Sequence, residues 1–179
     1  MARLTIIALM TASALAIAAS ASPIHAQSSK KAAAPGAAGG ATASEDIAGA
    51  YYDPARNAAS DVDSALAAAR ISGKAVLVVF GGNWCRDSRA LGVLLRSERF
   101  APMLAARYEL VFVDVGMRDR NLDLARRFGL HGIRGTPTAL ILRADGTPRN
   151  LGDAPRWRNA ASRKPAAVFR YFERAVPPT

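Results

Sequence analysis

The chain has 179 residues, half of them hydrophobic, and its formal net charge is +10 at pH 7. That length and composition allow one domain with a proper hydrophobic core. The single cysteine excludes a fold held together by internal disulfides. The 24 basic residues are scattered among 14 acidic ones, and no nucleic-acid-binding motif is present. The charge therefore predicts a solvated basic surface and no nucleic-acid partner.

The N-terminus has the pattern of a secretory signal peptide, predicted over residues 1–26. Arg3 precedes a short apolar run, and Ala26 offers a small residue at the cleavage site. An uncleaved anchor is the alternative, but the run is shorter than the ~20 residues that span a bilayer. Residues 27–49 are rich in alanine and glycine and predict a disordered linker. We expect a periplasmic or secreted protein with a folded domain over residues 50–179 and no stable membrane span after cleavage.

The folded domain begins with a predicted helix and a buried strand. Ser60 is the expected N-cap of the helix, and Gly73 ends it. Residues 76–80 are five consecutive apolar residues, which is typical of a strand covered on both faces of a sheet. Residues 86–95 then follow helical spacing, with apolar side chains on one arc.

The later elements alternate in the same way. Their patterns predict a short helix at 102–107, strands at 109–115 and 138–143, a helix at 119–128, a hairpin strand at 148–151 and a final helix at 165–176. Alternating helices and strands indicate an α/β fold with parallel crossovers. The predicted hairpin makes the central sheet mixed, with helices flanking it.

Cys85 lies at the junction between the first strand and the helix that follows it. Gly81 and Gly82 allow a sharp turn there, so the cysteine is predicted at a helix N-terminus. Free N–H groups and the helix dipole favour the thiolate at such a position, and the thiolate is the reactive form.

Three charged side chains follow the cysteine and are predicted to tune its thiolate. Arg86 and Arg89 favour the thiolate, whereas Asp87 opposes it. Two cations and a helix dipole against one anion predict a lowered pKa for Cys85.

Two segments resemble the thioredoxin family. The first is Phe-Gly-Gly-Asn-Trp-Cys-Arg-Asp-Ser at residues 80–88, and the second is Gly-Leu-His-Gly-Ile-Arg-Gly-Thr-Pro-Thr at residues 129–138. The similarity is closest to bacterial envelope thioredoxin-like proteins with an Asn-Trp-Cys-x-Asp-Cys active site, and it covers roughly residues 51–176. It implies a thioredoxin-like fold. One departure is large, because Ser88 replaces the second cysteine of the family motif and leaves Cys-x-x-Ser.

The resemblance also implies roles for individual residues. Trp84 is expected to cover the active site. Pro137 corresponds to the family's cis-proline, and the backbone of Thr136 is expected to pair with an extended substrate strand. Ser88 can donate a hydrogen bond to the Cys85 thiolate but cannot form a disulfide with it.

These observations predict an exported monothiol protein that acts in thiol–disulfide exchange through a Cys85 mixed disulfide. Its expected substrates are protein or small-molecule thiols and disulfides of the envelope. No cofactor is expected apart from glutathione or another external thiol as reductant. The alternative is a non-catalytic binding or chaperone module that holds a partner, with or without a covalent link, and a Cys85-linked dimer is a third possibility.

No metal site is predicted. Once the signal segment is removed, Cys85 and His131 are the only cysteine and histidine left, too few ligands for a protein-only zinc site. His131 lies in the second family segment and could act as a proton shuttle, but a surface position is the stronger interpretation.

Overall fold

The computed structural model describes residues 50–178. The predicted signal peptide at residues 1–26 and the predicted linker at residues 27–49 lie outside the described residues. Within residues 50–178, each helix is too short or too polar to cross a membrane.

Five α-helices, three strands and two short 3₁₀ turns make up this part of the chain. In chain order they are α1 (Ala58–Ser72), β1 (Ala75–Gly81), α2 (Arg86–Arg96), α3 (Ala101–Arg107), β2 (Tyr108–Asp114), α4 (Leu122–Arg127), β3 (Thr138–Leu142), the 3₁₀ turns Ala154–Trp157 and Ala160–Ser162, and α5 (Pro165–Ala175). The sheet order is β2-β1-β3, with β1 parallel to β2 and antiparallel to β3. The predicted mixed α/β sheet is confirmed.

Strand β1 lies at the centre of the sheet because both of its faces are apolar. All seven of its residues are buried. Leu77 and Val79 face a core built with α2, α3 and α5. Val76, Val78 and Phe80 face a second core built with α1 and α4. The alternation of side chains along a strand therefore explains how one apolar run supports two helical layers.

The helix ends differ from the prediction at two places. Asn57, rather than Ser60, caps α1, because its Oδ1 accepts a hydrogen bond from the Ser60 N–H at 3.1 Å. Helix α4 starts at Leu122 instead of residue 119, because Asn121 adopts a left-handed conformation with φ of 53°. The end of α1 is as predicted, with Gly73 at φ 75°.

The predicted strand at residues 148–151 is wrong. Only one isolated bridge forms there, between Leu142 and Pro148. It is flanked by two backbone bonds of 2.8 Å, from the Arg143 N–H to the Thr147 carbonyl and from the Arg149 N–H to the Ile141 carbonyl. The side chain of Asn150 takes the strand's place at the edge of β3. Its Oδ1 accepts from the Ile141 N–H at 2.8 Å, and its Nδ2 donates to the Ala139 carbonyl at 3.0 Å.

Candidate active site

Cys85 occupies the N-cap position of α2, directly after the turn that leaves β1. Its N–H donates to the Gly82 carbonyl at 3.0 Å, and its carbonyl accepts from the Arg89 N–H at 3.0 Å. The residue is a free cysteine and is partly exposed. The sulfur therefore lies at the start of a helix and within reach of solvent.

The loop before β3 lies beside this sulfur. The Thr136–Pro137 peptide bond is cis, and the Cys85 thiol donates a hydrogen bond to the Thr136 carbonyl, with 3.4 Å between Sγ and O. Thr138 holds the loop, because its Oγ1 donates to the Gly135 carbonyl at 2.8 Å. The structure thus brings together Cys85, Thr136 and Pro137, which the sequence places about 50 residues apart.

Hydrogen bonds to the sulfur offset the effect of its partial burial on the pKa of Cys85. Burial raises the pKa of the Cys85 thiol, whereas hydrogen bonds from the side chains of Thr136 and Ser88 and from the backbone N–H groups of Ser88 and Asp87 lower it. The net pKa lies below the ordinary value for cysteine. The two backbone donors are the free N–H groups of the first turn of α2.

Ser88 is fully buried beneath the nucleophile. Among the described residues, its Oγ makes no hydrogen bond of ordinary geometry. The hydroxyl nevertheless lies close enough to the sulfur to lower the pKa of Cys85. The Ser88 carbonyl accepts a bond from the Tyr52 hydroxyl at 3.4 Å. Burial raises the pKa of Tyr52 far above its usual range, so this hydroxyl stays neutral.

Trp84 lies across the turn before Cys85 and is 45% exposed. Its Nε1 donates to the Gly116 carbonyl at 2.7 Å, and a side chain on Gly82 would collide with its indole ring. The next residue after Gly116, Met117, is 68% exposed. Two large apolar side chains therefore face solvent, Trp84 beside Cys85 and Met117 on the turn that binds the Trp84 indole, and the sequence pattern indicated only the first.

Two of the three predicted tuning side chains make other contacts. The Arg89 guanidinium donates to the Asn83 carbonyl at 2.7 Å. The Asp87 carboxylate accepts from the Ala161 N–H at 2.8 Å, and Arg86 is exposed. Thiolate tuning by the charges of Arg86, Asp87 and Arg89 stays a prediction, and the cause found for the lowered pKa is hydrogen bonding.

Sequence reasoning missed two contacts that shape this site. The Asn83 side chain binds the backbone of Tyr52 at both ends, accepting from its N–H at 3.2 Å and donating to its carbonyl at 2.7 Å. The side chain of Arg158 packs against Gly135. The only signal for the second contact is a glycine directly before the Thr-Pro pair, which permits a close approach.

His131 is exposed, as the surface interpretation predicts. No group of three or more His, Cys, Asp or Glu side chains within residues 50–178 is arranged to hold a metal ion.

Replacing Thr136 with valine is expected to raise the pKa of Cys85. The substitution keeps the shape of the side chain but removes a hydroxyl that binds the thiolate. The midpoint of alkylation rate against pH should therefore move to higher pH, and the iodoacetamide rate at pH 7 should fall by a factor of about three. Thr136→Ser keeps the hydroxyl and should retain the original profile. An unchanged midpoint in the valine variant would show that this hydroxyl does not stabilise the thiolate.

Comparison with known proteins gives three matches. A family model described as thioredoxin-like matches residues 57–144, which include Cys85 and the cis-proline loop. A crystal structure of a disulphide isomerase from Xylella fastidiosa Temecula1 is 34% identical, covers 69% of this chain and 94% of its own, and superposes with a TM-score of 0.64. The solution structure of a thioredoxin from Thermus thermophilus is 30% identical over 45% of this chain and 59% of its own, with a TM-score of 0.36. None of the curated proteins matches the chain.

Proposed function

Because the chain belongs to the thioredoxin-like family, we propose that it catalyses thiol–disulfide exchange through Cys85. The observation that carries this proposal is the position of the Cys85 sulfur, 3.4 Å from the Thr136 carbonyl of the cis-proline loop. The lowered pKa of Cys85 supports it, because exchange requires the thiolate. The similarity to a protein described as a disulphide isomerase points to the same reaction class.

The first step is attack of the Cys85 thiolate on one sulfur of a substrate disulfide. A new bond forms between Cys85 Sγ and that sulfur, the substrate S–S bond breaks, and the second substrate sulfur leaves as a thiolate. The hydrogen bonds from Thr136, Ser88 and the first turn of α2 stabilise the Cys85 thiolate before it attacks and again after it is released from the mixed disulfide.

The second step must use a thiol from outside this chain, because Cys85 is the sole cysteine and Ser88 cannot form a disulfide. If another thiolate of the substrate attacks the mixed disulfide, Cys85 leaves as a thiolate and the substrate is isomerised. If glutathione or a similar thiol attacks the substrate sulfur, Cys85 is also regenerated. A second such thiol is then needed to complete reduction of the substrate.

Substrate binding is proposed at the surface formed by Trp84, Met117 and the cis-proline loop. The exposed indole and thioether suit apolar side chains of an extended or unfolded polypeptide. The Thr136 backbone lies where a substrate strand would place its cysteine beside Sγ, which is a β-augmentation contact.

A binding or chaperone module is the second candidate. The absence of a second cysteine favours it, because a mixed disulfide on Cys85 persists until an external thiol arrives. Exposed Trp84 and Met117 would then hold an apolar partner segment, or two chains would link through Cys85.

Export is part of this proposal and is supported by the composition of residues 1–26. In an oxidising compartment, protein disulfides are available as substrates. The basic surface predicted from a charge of +10 would favour acidic partners there.

The test is refolding of a scrambled-disulfide substrate in a glutathione buffer. We expect the wild-type chain to accelerate recovery of the native substrate and Cys85→Ala to lose that acceleration completely. Ser64→Ala, at an exposed position on α1, is the matched control and should behave as wild type. Binding of the substrate without acceleration would favour the chaperone module, and a band at dimer mass on a non-reducing gel would indicate the Cys85-linked dimer.

A further inference from the structure

A segment C-terminal to the family match borders the candidate site. This 3₁₀ segment, residues 154–162, is fixed at two points. Near its C-terminal end, the Ala161 N–H binds the Asp87 carboxylate on α2 at 2.8 Å. Near its middle, buried Trp157 stacks on Phe172 of α5, with ring centroids 5.0 Å apart and planes at 19°. A residue between these two anchors is therefore held in a defined place.

Arg158 lies between the anchors, and its side chain packs on the backbone of Gly135. A Cβ at Gly135 would lie 3.2 Å from Arg158 Cδ and 3.3 Å from its Cβ, which is tighter than ordinary packing, so glycine best permits this approach. Gly135 directly precedes Thr136, whose carbonyl lies 3.4 Å from Cys85 Sγ. The aliphatic stem of Arg158 therefore lies on one side of the Gly135–Thr136 backbone, and the Thr136 carbonyl of that backbone contacts the Cys85 sulfur.

The guanidinium of Arg158 is free to bind a ligand. The residue is exposed, and its side chain makes no ion pair or hydrogen bond with any residue between 50 and 178. The neighbouring arginines, in contrast, already have partners. Arg156 pairs with Asp153 at 3.5 Å, and Arg163 donates to Asn159 Oδ1 at 2.9 Å and covers the Trp157 ring.

The charges around this position are mainly positive. Arg134 is exposed and directly precedes Gly135, and Arg86 is exposed and directly follows Cys85. The nearest acidic side chain on α2 is Asp87, whose carboxylate is already bound by the Ala161 N–H. Uncompensated cations beside a reactive sulfur attract anions.

We propose that Arg158, together with Arg134, forms a carboxylate-binding subsite beside Cys85. This inference rests on the proposed exchange reaction and names its substrate class, which is disulfides that carry carboxylates near the reacting sulfur. Guanidinium groups bind carboxylates with directional, charge-assisted hydrogen bonds. Two sources share this chemistry, namely small acidic disulfides such as oxidised glutathione and acidic cystine-containing segments of proteins.

The test compares disulfides of opposite charge. The second-order rate constant of reduced protein is measured with oxidised glutathione, which is net negative, and with cystamine, which is net positive. A second pair consists of disulfide-linked peptides that differ only in glutamate or lysine beside the cysteine. Arg158→Gln keeps an aliphatic stem on Gly135 and removes the charge. Arg170→Gln removes the same charge from an exposed position on α5 and is the matched control.

The quantity compared is the rate constant with the acidic disulfide divided by the rate constant with the basic disulfide. We expect Arg158→Gln to lower this ratio by a factor of about three to five. Arg158→Glu should lower it further, and about 0.5 M salt should remove most of the difference. An effect on oxidised glutathione alone assigns the subsite to small thiols, whereas an effect on the glutamate peptide assigns it to acidic protein segments.

Two results would overturn the subsite while leaving the exchange reaction intact. In the first, the ratio is unchanged in both Arg158 variants although Cys85 still reacts. In the second, Arg170→Gln lowers the ratio as much as Arg158→Gln, which would mean that net charge alone sets the preference. If wild-type Cys85 reacts with none of these disulfides, the proposed function fails and the subsite fails with it. Thermal unfolding of each variant shows whether the fold is retained.

Discussion

Replacing Ser88 with cysteine is expected to turn the single-thiol site into a dithiol site. Ser88 lies on the first turn of α2, and both its hydroxyl and its N–H bind the Cys85 thiolate. A sulfur in place of that hydroxyl would lie next to Cys85 Sγ. An attacking group that is already positioned acts at a high effective concentration. The lifetime of a mixed disulfide on Cys85 should therefore fall by at least about 100-fold.

Reaction with an aromatic disulfide reagent, Ellman's reagent, measures this change directly. The wild-type chain should release one equivalent of the coloured thiol and keep one adduct. Ser88→Cys should release two equivalents and end with an internal disulfide and no adduct. Ser64→Cys provides a second cysteine at an exposed site on α1 and should release two equivalents while keeping two adducts. Two stable adducts on Ser88→Cys would contradict the placement of Ser88 beneath the sulfur.

Replacing Trp157 with alanine is expected to lower the free energy of unfolding by about 3–5 kcal/mol, the usual cost of removing a buried tryptophan. Trp157 is 1% exposed. It stacks on Phe172 and meets Tyr171 edge-on at 4.8 Å, and Arg163 covers its other side. Trp157→Phe should cost less, because it keeps an aromatic ring and because the indole Nε1 has no hydrogen-bond partner among the described residues.

Urea denaturation of the full chain measures the difference. Ile71→Ala is the control, because Ile71 is 90% exposed and its truncation should change stability by no more than about 0.5 kcal/mol. If Trp157→Ala unfolds at the wild-type urea concentration, this ring does not anchor the 3₁₀ segment. The same variant should also lose part of the charge preference assigned to Arg158, the residue next to Trp157.

Local patterns in the sequence predicted the elements that position the nucleophile. The apolar run at residues 76–80, the glycine pair after it and the amphipathic run from residue 86 place Cys85 at a strand-to-helix junction, and the structure has that junction. Asn150 shows where local patterns fail. The segment at residues 148–151 suggested a hairpin strand, but the Asn150 side chain accepts the hydrogen bond of the Ile141 N–H that a strand backbone would have accepted.

Spacing along the chain predicted only some of the groups that act on the sulfur, namely Ser88 and the N–H groups at the start of α2. Thr136 lies 51 residues from Cys85 along the chain, and Ala161 lies 74 residues from Asp87. Tuning by the charges adjacent to Cys85 stays a prediction, and the structure adds a hydrogen bond from this distant loop that lowers the pKa of Cys85.

By itself, the sequence determined the α/β class, the thioredoxin-like family and the helix-start position of the only cysteine. Each of these depends on neighbouring residues, whose apolar period and turn residues set the local backbone conformation. The tertiary structure alone decided that the Thr136 hydroxyl contacts the sulfur, that Asp87 anchors the 3₁₀ segment, and that Arg158 lies on Gly135. Such contacts depend on how separate elements pack around the two cores, and no spacing along the chain records that packing.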